Sequence, residues 1–381
     1  MTRHYGMDWL RIGAFALLIL YHVGMVFVPW NFHIKARAIV DWATLPMLAT
    51  NAWRLTLLFV VSGYASRALL VRSRGTLGFV GNRSYRLLVP LLFGMAVIVV
   101  PQPWVELTVK WGLREGFLRF WWHDYFSFRS PRGVSLPTWN HLWFVAYLWV
   151  YTMLLALLVW VVPRGWTQRA FDRVFGGVGV LLIPLAWMIA VHAWWFVMAA
   201  ETHALVGDWV AHAMYVPAFL FGFGLAGSER AMAAIRRWWI VAGVVGLAGF
   251  AGVMAVELSW PGNVPAPRWV YRPYGASHAL QQWGTIIALI GVAERWWNVD
   301  RPIRATLTEA VFPFYMIHQT VIVVVAYWLR PLMLPAWAEF PILVAATTAG
   351  CLAFYFGGRE VGVLRPLIGL RKRARVAPPV V

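Results

Sequence analysis

Ten apolar runs, each long enough to cross a lipid bilayer, divide this 381-residue chain. A helix needs about 17 to 25 mainly apolar residues to span the hydrocarbon core. Because lipid offers no partners for backbone N–H and C=O groups, such runs are helical. With 61% hydrophobic and only 13% charged residues, the chain has too little polar surface for a soluble globule of its size. The runs cover 12–30, 51–71, 87–105, 141–162, 177–198, 211–227, 238–257, 278–295, 309–329 and 340–357.

The sequence therefore predicts an all-α integral membrane protein of about ten transmembrane helices, with residues 1–360 as one membrane domain. Basic residues predict its orientation, because short cytoplasmic loops carry an excess of lysine and arginine. They gather in alternate loops and in the tail, so we expect both termini in the cytoplasm. The tail, residues 361–381, is basic and is predicted to be disordered. The residues counted are Arg72, Arg74, Arg83, Arg86, Arg164, Arg169, Arg173, Arg230, Arg236, Arg237, Arg301, Arg304, Arg365, Arg371, Lys372, Arg373 and Arg375.

The formal charge of +18 is explained by this topology rather than by binding to nucleic acid. Only Lys35, Lys110 and Lys372 among the 33 basic residues are lysines, and the arginines are spread between apolar runs. The segment 106–140 is basic too. Long segments follow the charge rule poorly, and we place this one outside the cytoplasm.

An arginine and a histidine share one face of the first run. Ten uncharged residues separate Arg11 from His22. Eleven steps of about 100° return almost to the starting angle of an α-helix and span about 16 Å. Ionisable side chains in a membrane helix are costly unless they face protein, water or ligand, so the pair predicts a functional site. The alternative is that Arg11 anchors the helix end and His22 bonds a neighbouring helix.

Two further arginines, Arg83 and Arg86, lie just before the third run. They are three residues apart, so on a helix they project from one face. Guanidinium groups suit phosphate, because they form paired hydrogen bonds with it. The alternative is a simple cytoplasmic anchor, which accounts for most arginines at such a position.

Two more histidines lie at chemically suggestive positions. His141 opens the fourth predicted helix beside Trp143, where an imidazole could position a polar acceptor and an indole could stack on a sugar, or both could be interfacial anchors. His318 lies inside the ninth predicted helix, where it orients a substrate or bonds another helix. The spacings of the remaining histidines match no metal motif, and no nucleotide-binding glycine loop is present.

Four motifs, taken in order, resemble the membrane acyltransferase-3 family. The resemblance covers nearly the whole chain, and segments 27–35 and 141–144 are most similar to the branch that includes a periplasmic-glucan succinyltransferase. The motifs are Asp8-Trp9-Leu10-Arg11 with ten residues to His22, Phe59-Val60-Val61-Ser62-Gly63-Tyr64, Arg83-Ser84-Tyr85-Arg86 running to Pro90, and Tyr315-Met316-Ile317-His318.

The resemblance implies a membrane O-acyltransferase of the bacterial inner membrane. Such an enzyme moves an acetyl or succinyl-type group from a cytoplasmic acyl-CoA to a hydroxyl of an extracytoplasmic glycan or lipid-linked sugar. Acyl-CoA is then a substrate, with no permanently bound cofactor and no metal. The other expected partners are the glycan acceptor and membrane lipid, and a homo-oligomer stays open.

In this interpretation Arg11, Arg83 and Arg86 bind the anionic donor, and Asp8 orients Arg11. His22 is the general base on the acceptor hydroxyl, because a neutral imidazole titrates near working pH. An acyl-histidine intermediate is the competing mechanism.

In the remaining assignments His318 has a supporting role. His141 and Trp143 contact the acceptor. Two other classes of function stay open. One is a secondary transporter or flippase that moves a glycan or lipid without acyl transfer, since buried ionisable groups in a helical bundle also suit transport. The other is a regulatory protein that binds the donor without turnover.

Overall fold

The structure, a computed structural model, describes residues 4–192, 201–261 and 264–372. All regular secondary structure in these residues is helical, which confirms the predicted fold class. The helices are α1 Tyr5–Gly24, α2 Thr44–Arg72, α3 Gly75–Phe93, α4 Pro101–Trp111, α5 Phe117–Arg119, α6 Trp143–Val161, α7 Arg164–Phe175, α8 Gly179–Val191, α9 Trp209–Leu225, α10 Glu229–Ser259, α11 Arg268–Trp296, α12 Pro302–Leu329, α13 Ala336–Glu360 and α14 Leu364–Leu367.

Seven helical segments in the described part of the chain are long and apolar enough to cross a membrane. The number is eight if α7 and α8, which are bent by 89° at a short break, form one span. The chain is thus a helical membrane protein. Of the ten predicted runs, 211–227 corresponds to the 17-residue α9 and 278–295 to the more polar α11, and neither is among the seven. The end of run 177–198 lies outside the described residues, and the orientation of the termini stays a prediction.

The chain divides into two compact units, each assembled from three stretches of sequence. The first unit comprises Met1–Leu18, Asp41–Asn82 and Tyr147–Thr308, and the second comprises Ile19–Val40, Arg83–Ala146 and Glu309–Val381.

In the first unit α11 carries polar side chains that are buried against neighbouring helices. It packs against α2, α8 and α10. The Gln282 amide donates to the Thr56 hydroxyl at 2.6 Å, and its oxygen lies 2.8 Å from His192 Nε2. The fully buried Trp283 donates its indole N–H to the Val180 carbonyl at 2.9 Å. These contacts satisfy the buried groups inside the protein, so α11 does not need an apolar surface on every side.

Gly63 of α2 and Gly222 of α9 form a close helix-packing contact in the first unit. A Cβ atom at Gly63 would overlap the Phe219 carbonyl of α9, and one at Gly222 would overlap the Val60 carbonyl of α2. Only glycine lets the two backbones approach this closely.

We expect Gly222→Ala to destabilise the protein by about 1–3 kcal/mol, because the added methyl group overlaps a backbone atom that cannot move aside. Gly81→Ala is the matched control, since a Cβ there meets no atom within 4 Å. It should stabilise the exposed helix by about 0.5–1 kcal/mol. Thermal melting of the two purified variants in detergent measures both effects, and equal shifts would contradict the packing argument.

In the second unit the chain that follows α1 is held by hydrogen bonds rather than by regular structure. Lys35 Nζ donates to the carbonyls of Met25 and Val28, both at 2.6 Å. Burial, with a smaller contribution from the charge of Lys110, lowers the pKa of Lys35 to about 8. The apolar core around this segment comprises Val23, Val26, Phe27, Phe32, Ile34, Ala36, Val105, Ile322, Val323, Ala326 and Leu343.

The third predicted run is a broken helix. Pro90 lies inside α3, and a π-helical turn at 94–98 precedes α4, which begins at Pro101. Proline removes a backbone donor, and such turns accompany bends in helices. Gly112 then ends α4 with a left-handed φ of 69°, a conformation that glycine adopts without strain.

Part of the predicted tail packs against other residues of the second unit. Residues 364–367 form the short α14, and the Arg365 guanidinium donates to the carbonyls of Arg359 and Arg371 at 2.8 and 2.6 Å. It also lies 3.4 Å from the Glu309 carboxylate. Residues 373–381 lie outside the described residues, and the predicted disorder of the tail stays a prediction there.

Candidate active site

His22 and His318 form a hydrogen-bonded pair in the second unit. His22 lies in the last turn of α1, and His318 lies in the middle of α12. His22 Nδ1 is 2.8 Å from His318 Nε2, and the rings stack with centroids 5.0 Å apart. His318 is completely buried, and His22 is partly buried with Phe32 stacked against it. Two histidines selected separately from the sequence thus belong to one site.

The backbone of α12 determines which ring nitrogens carry protons. His318 Nδ1 lies 2.7 Å from the Tyr315 carbonyl oxygen and 3.2 Å from that of Phe314. Carbonyl oxygens only accept, so Nδ1 of His318 must donate, and Nε2 of the neutral ring accepts. His22 therefore donates from Nδ1. In the neutral pair the basic lone pair of His22 is consequently on Nε2.

His141 joins the pair through the same turn of α12. Its Nε2 lies 3.1 Å from the carbonyls of both Tyr315 and Met316, and its ring is 5.0 Å from that of His318. In return, the Tyr315 hydroxyl donates to the His141 carbonyl. Since the backbone accepts from His141 Nε2, Nδ1 of the neutral ring is its acceptor.

A buried amide, Gln102, organises the polar groups beside these histidines. Its oxygen accepts from the amides of Asn140 and Gln319 at 2.9 and 3.0 Å. Its nitrogen donates to the Thr320 hydroxyl at 2.8 Å and lies 3.4 Å from His141 Nδ1. Both ends of the amide are thus satisfied, as buried polar groups require. Gln102 was not predicted from the sequence as a site residue. Its amide lies within an apolar run, and this was the only signal that the sequence offered.

The polar network continues from Gln319 towards the end of α4. Gln319 Nε2 lies 3.0 Å from His33 Nε2, and His33 Nδ1 lies 2.6 Å from the Glu106 carboxylate. Glu106 also accepts from Lys110 at 2.7 Å. Hydrogen bonds therefore connect His141 to the partly exposed Lys110 through side chains alone.

Arg83 and Arg86 lie one turn apart on α3 in the second unit, as the sequence predicts. Both are partly buried. The segment after α14 approaches the same part of α3, because Lys372 Nζ is 5.5 Å from the centroid of the Tyr85 ring. Their role in donor binding stays a prediction.

Arg11 and Asp8 lie on α1 within the first unit. Arg11 Nη2 donates to the Thr308 carbonyl at 3.2 Å. Asp8 forms a 2.7 Å ion pair with Arg304, whose guanidinium also lies 4.9 Å from the Tyr5 ring centroid. Arg304 was counted from the sequence only as a marker of orientation, and the structure makes it a partner of Asp8. The orientation of Arg11 by Asp8 stays a prediction.

Trp143 is only 7% exposed and packs edge-on against Phe144. A ring this enclosed offers little surface to a sugar, and its role in acceptor binding stays a prediction. An aromatic side chain that can stack with an acceptor must present an open face.

The histidine site has the parts for proton transfer. It combines a partly buried imidazole, a second imidazole that fixes its tautomer, and a backbone carbonyl that fixes the second. Such an arrangement accepts a proton at a defined atom. Among the described residues, no group of three or more His, Cys, Asp or Glu side chains is placed to hold a metal ion.

Comparisons with known proteins identify the family of the chain. A sequence model of the family described as an acyltransferase domain matches residues 4–356. Among curated proteins, glucans biosynthesis protein C of Escherichia coli O6:K15:H31 is 26% identical over 162 residues, which are 42% of this chain and 40% of that protein. Its counterpart in Salmonella typhi is 24% identical over 168 residues, 44% of this chain and 42% of that protein. The match thus spans about two-fifths of these relatives. No solved structure matches.

Proposed function

The chain belongs to the membrane acyltransferase-3 family, and we propose that it moves an acetyl or succinyl-type group from a cytoplasmic acyl-CoA to a hydroxyl of an extracytoplasmic glycan or lipid-linked sugar. Membership of this family indicates a membrane acyltransferase. We propose that it lies in the bacterial inner membrane. Donor, acceptor and the role of His22 are the parts of the proposal that need experiment.

The observation that carries the mechanism is the hydrogen bond from His22 Nδ1 to His318 Nε2. It leaves His22 Nε2 as the basic atom of the neutral pair. That atom takes the proton from the acceptor hydroxyl while the oxygen attacks the thioester carbonyl. The carbon–sulfur bond then breaks, and the proton passes from His22 to the departing thiolate, so atoms and charge balance.

The donor side of the proposal uses Arg83 and Arg86. Coenzyme A carries several phosphate groups, and partly buried guanidiniums bind phosphate through charge-assisted hydrogen bonds. The two arginines lie on one helical face in the same unit as His22.

The acceptor side draws on the relatives. Their name, glucans biosynthesis protein, supports a glucan as the hydroxyl-bearing acceptor. The family and the relatives leave acetyl and succinyl donors as alternatives.

The function is tested with purified protein in proteoliposomes that receive labelled acetyl-CoA or succinyl-CoA and a glucan. Label that moves to the glucan, and does so only with intact His22, supports the proposal. Glucan that crosses the membrane unlabelled supports a transporter instead. Donor binding without transfer supports a regulatory protein.

We expect replacement of both Arg83 and Arg86 with alanine to raise the donor KM at least about tenfold, because each lost charge-assisted hydrogen bond is worth about 1.5–3 kcal/mol. The paired lysine variant should lie between alanine and wild type, since lysine keeps the charge and loses the paired geometry. Steady-state kinetics with varied acyl-CoA measures the change.

Arg74→Ala is the matched control, because Arg74 is exposed and precedes α3. A similar rise in KM in this control would indicate a general effect of surface charge. An unchanged KM in the double variant would remove Arg83 and Arg86 from the donor site.

A further inference from the structure

Residues 107–136 of the second unit line an open cavity of about 530 Å³ that the mechanism above does not use. Its volume lies within the range of about 300–1,000 Å³ that is typical of small-molecule sites. Leu107, Phe120 and Leu136 give it a buried apolar floor. The remaining lining residues that matter here are Trp111, Glu115, Asp124, Arg129 and Arg132.

The cavity walls are held in place by the protein itself. The Tyr125 hydroxyl lies 2.7 Å from the Met95 carbonyl, and the Trp121 indole donates to the Ala96 carbonyl at 2.9 Å. Both acceptors lie in the π-helical turn between α3 and α4. Tyr125 and Trp121 directly follow the lining residues Asp124 and Phe120, so these bonds tie the backbone of two lining residues to the π-helical turn.

Two neighbouring carboxyl groups, Glu115 and Asp124, form one polar wall. The hydrogen bond between them raises the pKa of Glu115 and lowers that of Asp124. Through this bond the two carboxyls can share one proton. Each side chain is about one-third exposed, and the oxygens Glu115 Oε2 and Asp124 Oδ2 are enclosed. The wall can thus both donate and accept.

The other lining groups are an indole ring and two guanidinium groups, which contrast with the two carboxyls. Trp111, the last residue of α4, is 54% exposed, which leaves ring surface open. The Arg132 guanidinium lies 5.6 Å from its ring centroid and orients it. Arg129 also lines the cavity. An apolar ring beside hydrogen-bond donors and acceptors suits a molecule with one apolar face and a rim of hydroxyls.

The balance of charges selects among ligands. Carboxyl groups and the guanidiniums of Arg129 and Arg132 both line the cavity, so a ligand there meets hydrogen-bond acceptors and donors together. A neutral polyol satisfies both, because each hydroxyl donates to a carboxylate and accepts from a guanidinium. Sugars of this kind are the acceptor class in the function proposed above.

We propose that this cavity, between Trp111 and the Glu115–Asp124 pair, is a binding subsite for an uncharged hexose unit of the acceptor glycan. The assignment as an acceptor subsite rests on the proposed function, whereas the binding of an uncharged sugar does not. The subsite holds the glycan on the polypeptide that continues through Asn140 to His141, which belongs to the histidine site.

Direct binding tests the sugar subsite without any acyl transfer. The full-length protein in lipid nanodiscs is titrated with cellotetraose, maltotetraose and laminaritetraose, and binding is followed by saturation-transfer NMR. We expect at least one tetrasaccharide to bind, and Trp111→Ala or Asp124→Asn to weaken it at least about tenfold. Trp122→Ala is the matched control, because Trp122 is 75% exposed and stacks on Trp121 outside the cavity.

Three results would overturn the subsite: no tetrasaccharide binds the wild type, the cavity variants bind like the wild type, or inorganic phosphate binds there instead. Asp124→Asn keeps the size of the side chain, so the test remains available if Trp111→Ala fails to fold.

Kinetics then tests the link to the acceptor. In acyl transfer, Asp124→Asn should raise the acceptor KM about tenfold and leave the donor KM unchanged. A wild type that binds the tetrasaccharides but never transfers an acyl group would refute the proposed function and keep the sugar subsite. An unchanged acceptor KM with lost sugar binding would show that the subsite does not serve the acceptor.

Discussion

Replacing His22 with alanine is expected to lower acyl transfer by about 10²- to 10⁴-fold, the usual contribution of a general base. The methyl group of alanine cannot take a proton from the acceptor hydroxyl. Donor binding should persist, because the arginines proposed to bind the donor are unchanged. Label transfer to glucan and equilibrium binding of acyl-CoA measure the two effects separately. His203→Ala, at a histidine of the first unit, is the control and should retain transfer.

The same variant separates the base from the nucleophile. With labelled donor and no acceptor, an acyl-histidine would leave label on the wild-type chain and none on His22→Ala. A base would leave label on neither. If His22→Ala transferred acyl groups at the wild-type rate after normal membrane insertion, both mechanisms would fail.

The second large effect is expected at His318, a positioning residue that acts through His22. His318→Leu fills similar space but cannot accept the His22 Nδ1 proton, so the His22 ring loses its fixed tautomer. Changes of this kind in the partners of functional histidines cost about 10- to 10⁴-fold. We expect kcat to fall within that range, with an unchanged donor KM, in the glucan transfer assay.

His318→Gln distinguishes positioning from simple packing. Its side-chain oxygen can accept from His22, so it should recover part of the activity lost in His318→Leu. The pH profile of kcat should also differ between these variants, because only glutamine keeps an acceptor beside His22. Equal losses in both variants, with equal melting temperatures, would show that the ring matters only for packing.

The sequence predicts the positions of the helices far better than the side-chain contacts between them. Long apolar runs leave the backbone no alternative to helix in lipid, so every predicted run overlaps a helix of the structure. Span counting is weaker, because Gln282 of α11 pairs with His192, the residue after α8, inside the first unit. Periodicity cannot reveal such pairing, which depends on side chains far apart in sequence.

The candidate site divides in the same way. Motifs single out His22, His141 and His318, and their convergence in one unit comes only from the structure. Arg304 and Gln102 carried no motif, since an arginine near a membrane surface and a single amide are common in any helix end or bundle. The cavity beside Trp111 was also hidden, because a basic loop of 35 residues gives no pattern from which its folded shape follows.

The contact of His318 with backbone carbonyls orients the histidine pair through uncharged groups. In many catalytic histidine systems a carboxylate orients the ring, and it brings a full negative charge. Transferring such a charge into a low-dielectric interior costs several kcal/mol unless it is paired. Here peptide dipoles of α12 give the same orientation without an ion. Charge would therefore arise only during turnover, when protonated His22 lies beside the negative oxygen of the tetrahedral intermediate, and it would vanish when the product leaves.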